Sequence, residues 1–171
     1  MDLTPFIRDI PDFPKPGILF KDITPLLAEP AALRYAVDRL ADYARSRQAD
    51  VFASAEARGF LFAAPLAVLM AKPLVPLRKP GKLPYRTFAH SYELEYGQAE
   101  LHIHIDAIHA GSRVVLVDDL LATGGTMEAG CRLVEKAGGV VAGCAFLVEL
   151  TFLGGRQRLR PADAFSLVQY G

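Results

Sequence analysis

The chain has 171 residues, enough for one domain of ordinary size and too few for two comfortable ones. Its 19 Lys and Arg residues balance 19 Asp and Glu residues, so the formal net charge at pH 7 is zero. Without a basic excess, the composition argues against a nucleic-acid-binding protein, and any anion that the chain binds needs a local site. Apolar residues make up 51% of the chain, which is enough for a packed core.

The sequence also argues against membrane insertion and secretion. The longest apolar run, residues 59–71, is interrupted by Pro65 and is shorter than the roughly 20 residues that a membrane helix needs. Residues 1–11 lack the apolar stretch of a signal peptide. The two cysteines, Cys131 and Cys144, predict buried thiols in a reducing cytoplasm rather than a disulfide framework or a zinc site.

The first half of the chain predicts a parallel crossover. Proline and glycine are frequent in residues 1–25, which predicts an ordered loop rather than regular structure. Pro30 then opens an amphipathic helix at a position where proline is tolerated. A short buried strand at 50–55, an apolar helix at 59–71 and a strand at 74–77 follow, and strand, helix and strand at this spacing indicate a parallel pair.

The middle of the chain has a different pattern. Residues 78–96 combine Pro, Gly and Lys with aromatic residues, and residues 99–106 alternate between apolar and polar side chains. This alternation is typical of a strand with one solvent-facing side, so the two stretches predict a hairpin that projects over an α/β core. The remaining predicted elements are a buried strand, a helix and two further strands: 113–117, 126–137, 140–150 and 165–169. The pattern predicts a single α/β domain, 1–171.

The most informative stretch is 114–126, in which an apolar strand ends in Asp118 and Asp119 and a Thr- and Gly-rich turn leads into a helix. Ligands of open parallel sheets bind beyond the carboxyl ends of the strands, and the free N–H groups at a helix start attract phosphate. Gly124 and Gly125 allow the backbone to approach a ligand closely. The stretch lacks the Lys of a Walker loop, and its acid pair distinguishes it from a dinucleotide fingerprint.

Two carboxylates would repel a phosphate but suit a pair of vicinal hydroxyls. The stretch therefore predicts a ribose 5-phosphate site, with the hydroxyls on Asp118 and Asp119. The predicted phosphate-binding residues are Ala122, Thr123, Gly124, Gly125 and Thr126.

This motif resembles the phosphoribosyl-pyrophosphate (PRPP) signature of the type I phosphoribosyltransferases, and four other stretches narrow the resemblance to the adenine phosphoribosyltransferases. These stretches are 13–23 (FPKPGILFKDI), 56–60 (EARGF), 78–84 (RKPGKLP) and 91–97 (SYELEYG). The resemblance runs from about Phe13 to Tyr170. It implies the type I phosphoribosyltransferase fold, a mainly parallel β-sheet flanked by helices, with an N-terminal hood over the base (1–25) and a flexible catalytic hairpin loop (79–98).

The adenine phosphoribosyltransferases join adenine to PRPP in purine salvage, forming AMP and releasing pyrophosphate, and the resemblance implies the same reaction for this chain. By this resemblance, Glu95 is the general acid/base that handles the proton on the imidazole ring of the purine. The implied adenine-binding residues are Leu19 and Lys21, through their backbone groups, and Phe20, through stacking. The implied pyrophosphate-binding residues are Arg58, Arg78, Lys79 and Lys82.

The resemblance also implies the cofactor and the partners. Mg²⁺ is expected as cofactor, held mainly by PRPP oxygens and several waters rather than by metal ligands of the protein. The small-molecule substrates are PRPP and adenine, and we expect a cytoplasmic homodimer with neither nucleic acid nor membrane as a partner.

Several alternatives remain open for individual residues. Arg58 could form a structural ion pair with Glu56, since the planar guanidinium serves both uses. His102 and His104 lie on one face of the predicted strand and could ligate a metal, although no third ligand is evident. Lys21 stands where some relatives have Arg, which matters only if a guanidinium contacts adenine.

Two alternatives concern the function itself. The substrate could be a 6-oxopurine, although the early loop is of the adenine type. A non-catalytic PRPP-sensing regulator on the same core usually carries a DNA-binding segment, for which this chain has neither spare length nor a basic excess. A regulator would also leave Glu95 unexplained.

Overall fold

The computed structural model describes residues 1–93 and 98–171. In chain order, the strands of the described residues are β1 (Arg8–Pro11), β2 (Leu19–Asp22), β3 (Val51–Ala55), β4 (Leu74–Leu77), β5 (Thr87–Glu93), β6 (Gln98–His104), β7 (Arg113–Leu121), β8 (Val140–Leu150) and β9 (Ala164–Tyr170). The α-helices are α1 (Thr24–Ala28), α2 (Pro30–Ser46), α3 (Phe60–Met70), α4 (Gly125–Lys136) and α5 (Gly155–Arg158). Short 3₁₀ turns span Thr4–Phe6 and Thr151–Leu153.

A five-stranded parallel sheet in the order β4-β3-β7-β8-β9 forms the centre of the domain. The residues of β7 from Val114 to Val117 are fully buried, as expected for an apolar strand covered on both faces. β7 continues to Leu121, so the prediction that the strand ends at the carboxylates is wrong. Its pairing with β8 extends to Leu121 opposite Glu149, and this pairing holds the polar residues in the strand.

Helices cover both faces of the sheet, which confirms the predicted α/β architecture and the crossover from β3 through α3 to β4. On one face, α2 buries Ala36, Val37 and Leu40 in a core shared with α3. On the other face, α4 packs with the antiparallel β5–β6 hairpin, whose Leu101 and Ile103 are buried. The predicted alternation along this strand is therefore confirmed. Each fully buried leucine of these cores contributes about 1.5–3 kcal/mol.

The N-terminal segment is not the loop that its proline content predicts. β1 and β2 form a two-stranded antiparallel hairpin, with Asp9 opposite Lys21 in the register. Leu3, Ile7 and Ile23 flank the hairpin and are buried in the core that α2 shares, so apolar anchors on both sides hold these short strands together. Among the described residues, no helix is both long and apolar enough to span a bilayer.

Candidate active site

A cavity of about 430 Å³ opens at the carboxyl ends of β3 and β7. Two segments line it: the loop after β3 and the stretch from the end of β7 into the first turn of α4. The lining residues are Glu56, Ala57, Arg58 and all of 118–127. The fold therefore brings Arg58 into the same cavity as every residue predicted to bind the ribose and the 5-phosphate.

The two carboxylates at this edge have different surroundings. The Asp119 residue is 5% exposed, and its Oδ2 accepts a hydrogen bond from Arg58 Nε at 2.5 Å. Arg58 thus pairs with Asp119, and not with Glu56 as the structural alternative supposed. Asp118 Oδ1 accepts the backbone N–H of Asp119 at 2.9 Å. Burial, and then the neighbouring Asp119 charge, raise the pKa of Asp118 well above its ordinary value.

A glycine at the start of α3 allows this crowding. A Cβ atom on Gly59 would lie 2.4 Å from Ser54 Oγ and 2.7 Å from Asp118 Oδ1, so no larger residue fits here without displacing the carboxylate. Ser54 is itself buried and donates a hydrogen bond to the Val117 carbonyl at 2.7 Å. The sequence reasoning missed Ser54, because a small polar residue in a buried strand carries no signal of its own.

The start of α4 is open to a ligand. Gly124 has φ +84°, which favours glycine, and in the part of the chain that the structure describes no side chain caps the helix. The first intrahelical bond runs from the Glu128 N–H to the Gly124 carbonyl at 2.9 Å, so the three preceding N–H groups lie before the helical ladder. Thr126 Oγ1 lies 3.3 Å from Tyr92 Oη of the β5–β6 hairpin. Free N–H groups and a helix dipole suit an anion.

The predicted basic cluster lies beside the cavity. None of Arg78, Lys79 and Lys82 is among the residues that line the cavity. Glu56, which does line it, binds both Arg78 and Lys79. Glu56 Oε2 accepts from Arg78 Nη2 at 3.1 Å, and Oε1 accepts the Lys79 N–H at 2.6 Å. The Lys79 N–H, together with the Arg78 guanidinium, holds the pKa of Glu56 below its ordinary value. Sequence reasoning did not assign Glu56 to the site, although it belongs to the quoted 56–60 stretch.

The predicted adenine-binding segment lies beside Arg58, one of the residues that line the cavity. The Phe20 ring centroid lies 5.4 Å from Arg58 Cζ and 5.1 Å from the Phe13 ring centroid, at an edge-on angle. The Lys21 ammonium is 2.5 Å from Asp9 Oδ1 and 3.7 Å from the Tyr170 ring centroid, so its side chain is already engaged. The backbone groups of alternate residues point to the same side of a strand, which places those of Leu19 and Lys21 along one edge of β2.

The remaining predictions concern Glu95 and a possible metal site at His102 and His104. Glu95 lies outside the described residues, so its role stays a prediction. His102 contacts the polar side chains beside it, with Nε2 2.7 Å from Glu100 Oε1 and Nδ1 2.9 Å from Thr87 Oγ1. Within residues 1–93 and 98–171, no three His, Cys, Asp or Glu side chains are grouped to hold a metal.

A carboxylate pair in a parallel strand is followed by an uncapped, glycine-bearing helix start. The family model described as "Phosphoribosyl transferase domain" matches residues 23–166, so the chain contains a phosphoribosyltransferase domain. The adenine phosphoribosyltransferase of Thermotoga neapolitana is 55% identical over 170 residues, covering 99% of this chain and 100% of that protein. The one from Rhodopirellula baltica is 55% identical over 171 residues, covering 100% of this chain and 83% of that protein.

Solved structures agree with these relatives. The crystal structure of adenine phosphoribosyltransferase from Thermoanaerobacter pseudethanolicus has a TM-score of 0.95 and 54% identity, covering 98% of each chain. The enzyme from Saccharomyces cerevisiae, complexed with adenine and an imino-altritol bisphosphate, has a TM-score of 0.90 and 38% identity, covering 96% of this chain and 95% of that one. The chain belongs to the adenine phosphoribosyltransferase family.

Proposed function

We propose that this enzyme transfers the 5-phosphoribosyl group of PRPP to adenine in purine salvage, forming AMP and releasing pyrophosphate. The observation that carries the proposal is the shared cavity, in which a carboxylate pair, an uncapped helix start and Arg58 lie together. These three features correspond to the vicinal hydroxyls, the 5-phosphate and the pyrophosphate of PRPP. The chain acts as a single domain, with residues 1–25 as a hood and residues 79–98 as the catalytic loop.

Asp118 and Asp119 accept hydrogen bonds from the ribose hydroxyls. Hydrogen bonds to charged groups are worth about 1.5–3 kcal/mol each, so this pair fixes the position of the sugar. The 5-phosphate binds the loop from Ala122 to Thr126, where the N–H groups of an uncapped helix start and the hydroxyls of Thr123 and Thr126 are the available donors. Because the backbone supplies most of the donors, the site binds phosphate without placing a lysine beside the carboxylates.

The pyrophosphate binds the cationic side of the cavity. Arg58 exchanges its bond to Asp119 for the substrate, and Arg78, Lys79 and Lys82 contribute from the adjoining segment. Mg²⁺ would be held mainly by PRPP oxygens, with the carboxylates of Asp118 and Asp119 as oxygen ligands of the type that suits it, and would neutralise charge on the pyrophosphate.

The base binds between the hood and the ribose. Backbone groups of Leu19 and Lys21 bind the amino-purine edge and Phe20 stacks on the ring, which supports the base against the anomeric carbon. The bond from the anomeric carbon to the pyrophosphate oxygen breaks as the bond to the imidazole nitrogen of adenine forms. Glu95 takes the proton that this nitrogen loses, and the hood and loop exclude the water that would hydrolyse PRPP.

AMP formation from PRPP, Mg²⁺ and adenine tests the reaction, with hypoxanthine and guanine in parallel assays. Turnover with adenine alone is the expected result. Turnover with an oxopurine would retain the phosphoribosyl site at Asp118 to Thr126 and contradict the base assignment. PRPP binding without turnover in any assay would favour a regulator.

A Glu95→Gln variant tests the proton step. The amide cannot take the proton, so kcat is expected to fall about 100-fold, within the range that a general acid or base contributes. Glu135→Gln, on the exposed side of α4, is the control and should keep the parent rate. A change within about threefold for Glu95→Gln, less than one kcal/mol of barrier, would show that the assignment is wrong.

We also propose a cytoplasmic homodimer. An apolar face where α2 and α3 meet supports the dimer, because Val68 is 84% exposed and Leu61 and Leu69 are more than two-fifths exposed. Light scattering should give twice the mass of one chain.

A further inference from the structure

We infer that Glu149 and Arg156 are positioning residues that hold the phosphate loop, residues 122–126, in place through Gly155. The inference rests on the proposed function, which assigns this loop to the 5-phosphate. Neither Glu149 nor Arg156 lines the described cavity, and the proposed reaction gives neither of them a task.

Glu149 is a buried carboxylate with a complete set of donors. It lies near the end of β8 and is 3% exposed. Arg156 binds it with a fork, Nε at 3.0 Å from Oε1 and Nη2 at 2.5 Å from Oε2, and Ser166 Oγ donates to Oε2 at 2.6 Å. The hydrogen bonds from Arg156 hold the pKa of Glu149 below its ordinary value, so the pair is charged at neutral pH.

This fork fixes the start of α5. Arg156 also donates from Nη1 to the Ala164 carbonyl of β9, so one guanidinium joins α5 to two neighbouring strands. The Arg156 side chain is 42% exposed, so water partly screens its attraction to Glu149, whereas the planar fork specifies distance and direction. The pair is therefore better suited to fixing a position than to adding stability.

The residue before Arg156 touches the phosphate loop backbone to backbone. A Cβ atom on Gly155 would lie 2.2 Å from the Ala122 carbonyl oxygen, and one on Gly124 would lie 2.7 Å from the Gly155 carbonyl oxygen. The loop and the start of α5 are thus packed as closely as two glycine-bearing backbones allow. A second tie, Arg158 to Glu128, joins α5 to the first turn of α4.

These contacts form a continuous path from Glu149 through Arg156 and Gly155 to the loop. Movement of α5 by a fraction of an ångström would move the N–H groups that bind the phosphate. Misplacement by about 1 Å can cost 100-fold in rate. Because the loop binds the phosphate of PRPP and not the base, the path affects KM for PRPP more than KM for adenine.

Two variants test the path in the full-length enzyme, with KM for PRPP, KM for adenine, kcat and Tm as readouts. In Arg156→Lys, one ammonium cannot make both fork bonds, and KM for PRPP is expected to rise about tenfold while KM for adenine stays within about twofold. Gly155→Ala should raise KM for PRPP further, because its methyl group displaces the loop.

Matched controls separate positioning from stability. Arg132→Lys alters an ion pair with Glu135 on the exposed side of α4 and should leave both KM values unchanged. A Cβ atom on Gly143 would lie 2.2 Å from Tyr43 Oη, so Gly143→Ala crowds a side chain rather than backbone, in the N-terminal half of β8 and away from the loop. It should lower Tm without raising KM for PRPP.

The inference is overturned if the parent forms AMP and Arg156→Lys leaves KM for PRPP within about twofold, or if both KM values rise together. Should Gly155→Ala not fold, Arg156→Lys decides the question. If the parent forms no AMP, the proposed function has failed instead. Calorimetric PRPP affinities then test the path: a loss of about tenfold in Arg156→Lys but not in Arg132→Lys supports it, and equal affinities overturn it.

Discussion

Two regions of the proposed site, residues 118–126 and the hairpin of residues 8–22, are built in opposite ways. The first leaves the central strand of a five-stranded sheet, and Asp119 within it is buried. The second consists of two four-residue strands, none of whose residues is fully buried, joined by the pairs Arg8–Asp22 and Lys21–Asp9.

The difference in burial between these two regions indicates that the proposed ribose and phosphate contacts depend on the core more than the proposed adenine contacts do. Partly exposed ion pairs contribute about 0–1 kcal/mol each, whereas the sheet is held by the whole core. The proposed phosphoribosyl site is therefore built on the core of the sheet, whereas the proposed base site lies on a hairpin that flanking apolar residues anchor to that core. We expect changes in the first region to affect PRPP with any purine, and changes in the second to affect adenine.

Asp119→Ala should have the largest effect. It removes ribose acceptors and the partner of Arg58, and kcat/KM for PRPP is expected to fall about 100-fold, since each charged hydrogen bond is worth about 1.5–3 kcal/mol. Asp106→Ala, at an exposed turn after β6, is the control and should keep the parent value. An unchanged calorimetric affinity of Asp119→Ala for PRPP would show that residues 118–126 do not bind the ribose as proposed.

Phe20→Ala should act on adenine alone. Stacking of a base on an aromatic ring is worth about 1–3 kcal/mol, so KM for adenine is expected to rise about tenfold while KM for PRPP stays within about twofold. Phe152→Ala, which truncates an exposed ring elsewhere, serves as the control. Equal rises in both KM values would mean that the two regions are not separate.

Asp118→Asn should stabilise the fold but lower the rate of AMP formation. Burial and the Asp119 charge raise the folded-state pKa of Asp118 above 3.8, so the fold favours the protonated carboxyl. This contribution to the free energy of unfolding is complete below the unfolded pKa and is lost as pH rises through the folded pKa. The uncharged amide avoids this loss. Tm at pH 8 should rise by about 2–4 °C, or about 1 kcal/mol, and the gain should vanish near pH 3.5.

Two measurements check that prediction. Asp106→Asn, an exposed counterpart, should leave Tm unchanged at both pH values. A Tm for Asp118→Asn at pH 8 equal to or below that of the parent would show that the charged carboxylate is not costly in the fold. AMP formation by Asp118→Asn is expected to fall, because the amide is a weaker acceptor for a ribose hydroxyl.

Lys21→Met should have the smallest effect on catalysis. Its ammonium is committed to Asp9 and the Tyr170 ring, and the proposed contact with adenine uses only the backbone. KM for adenine should stay within about threefold, less than 1 kcal/mol. A rise as large as that of Phe20→Ala would mean that the Lys21 side chain contacts the base.

The apolar elements were predictable because their patterns are local. The strands at 74–77 and 140–150 agree with β4 and β8 at both ends, since a buried parallel strand is a continuous apolar run. The continuation of β7 beyond Asp118 was not predictable, because pairing with β8 decides it. The N-terminal hairpin was missed because its register depends on Asp9 meeting Lys21 across a proline-rich turn.

The sequence by itself identified the carboxylate pair and the proposed phosphate loop, because one contiguous stretch carries both and its chemistry is local. Tertiary structure alone decided that Arg58 pairs with Asp119, that Phe20 lies beside Arg58 and that Gly155 abuts Ala122. Each of these contacts joins residues from separate segments, and no spacing along the chain records it. They arise because parallel strands bring their carboxyl ends to one edge of the sheet, where distant loops must pack together.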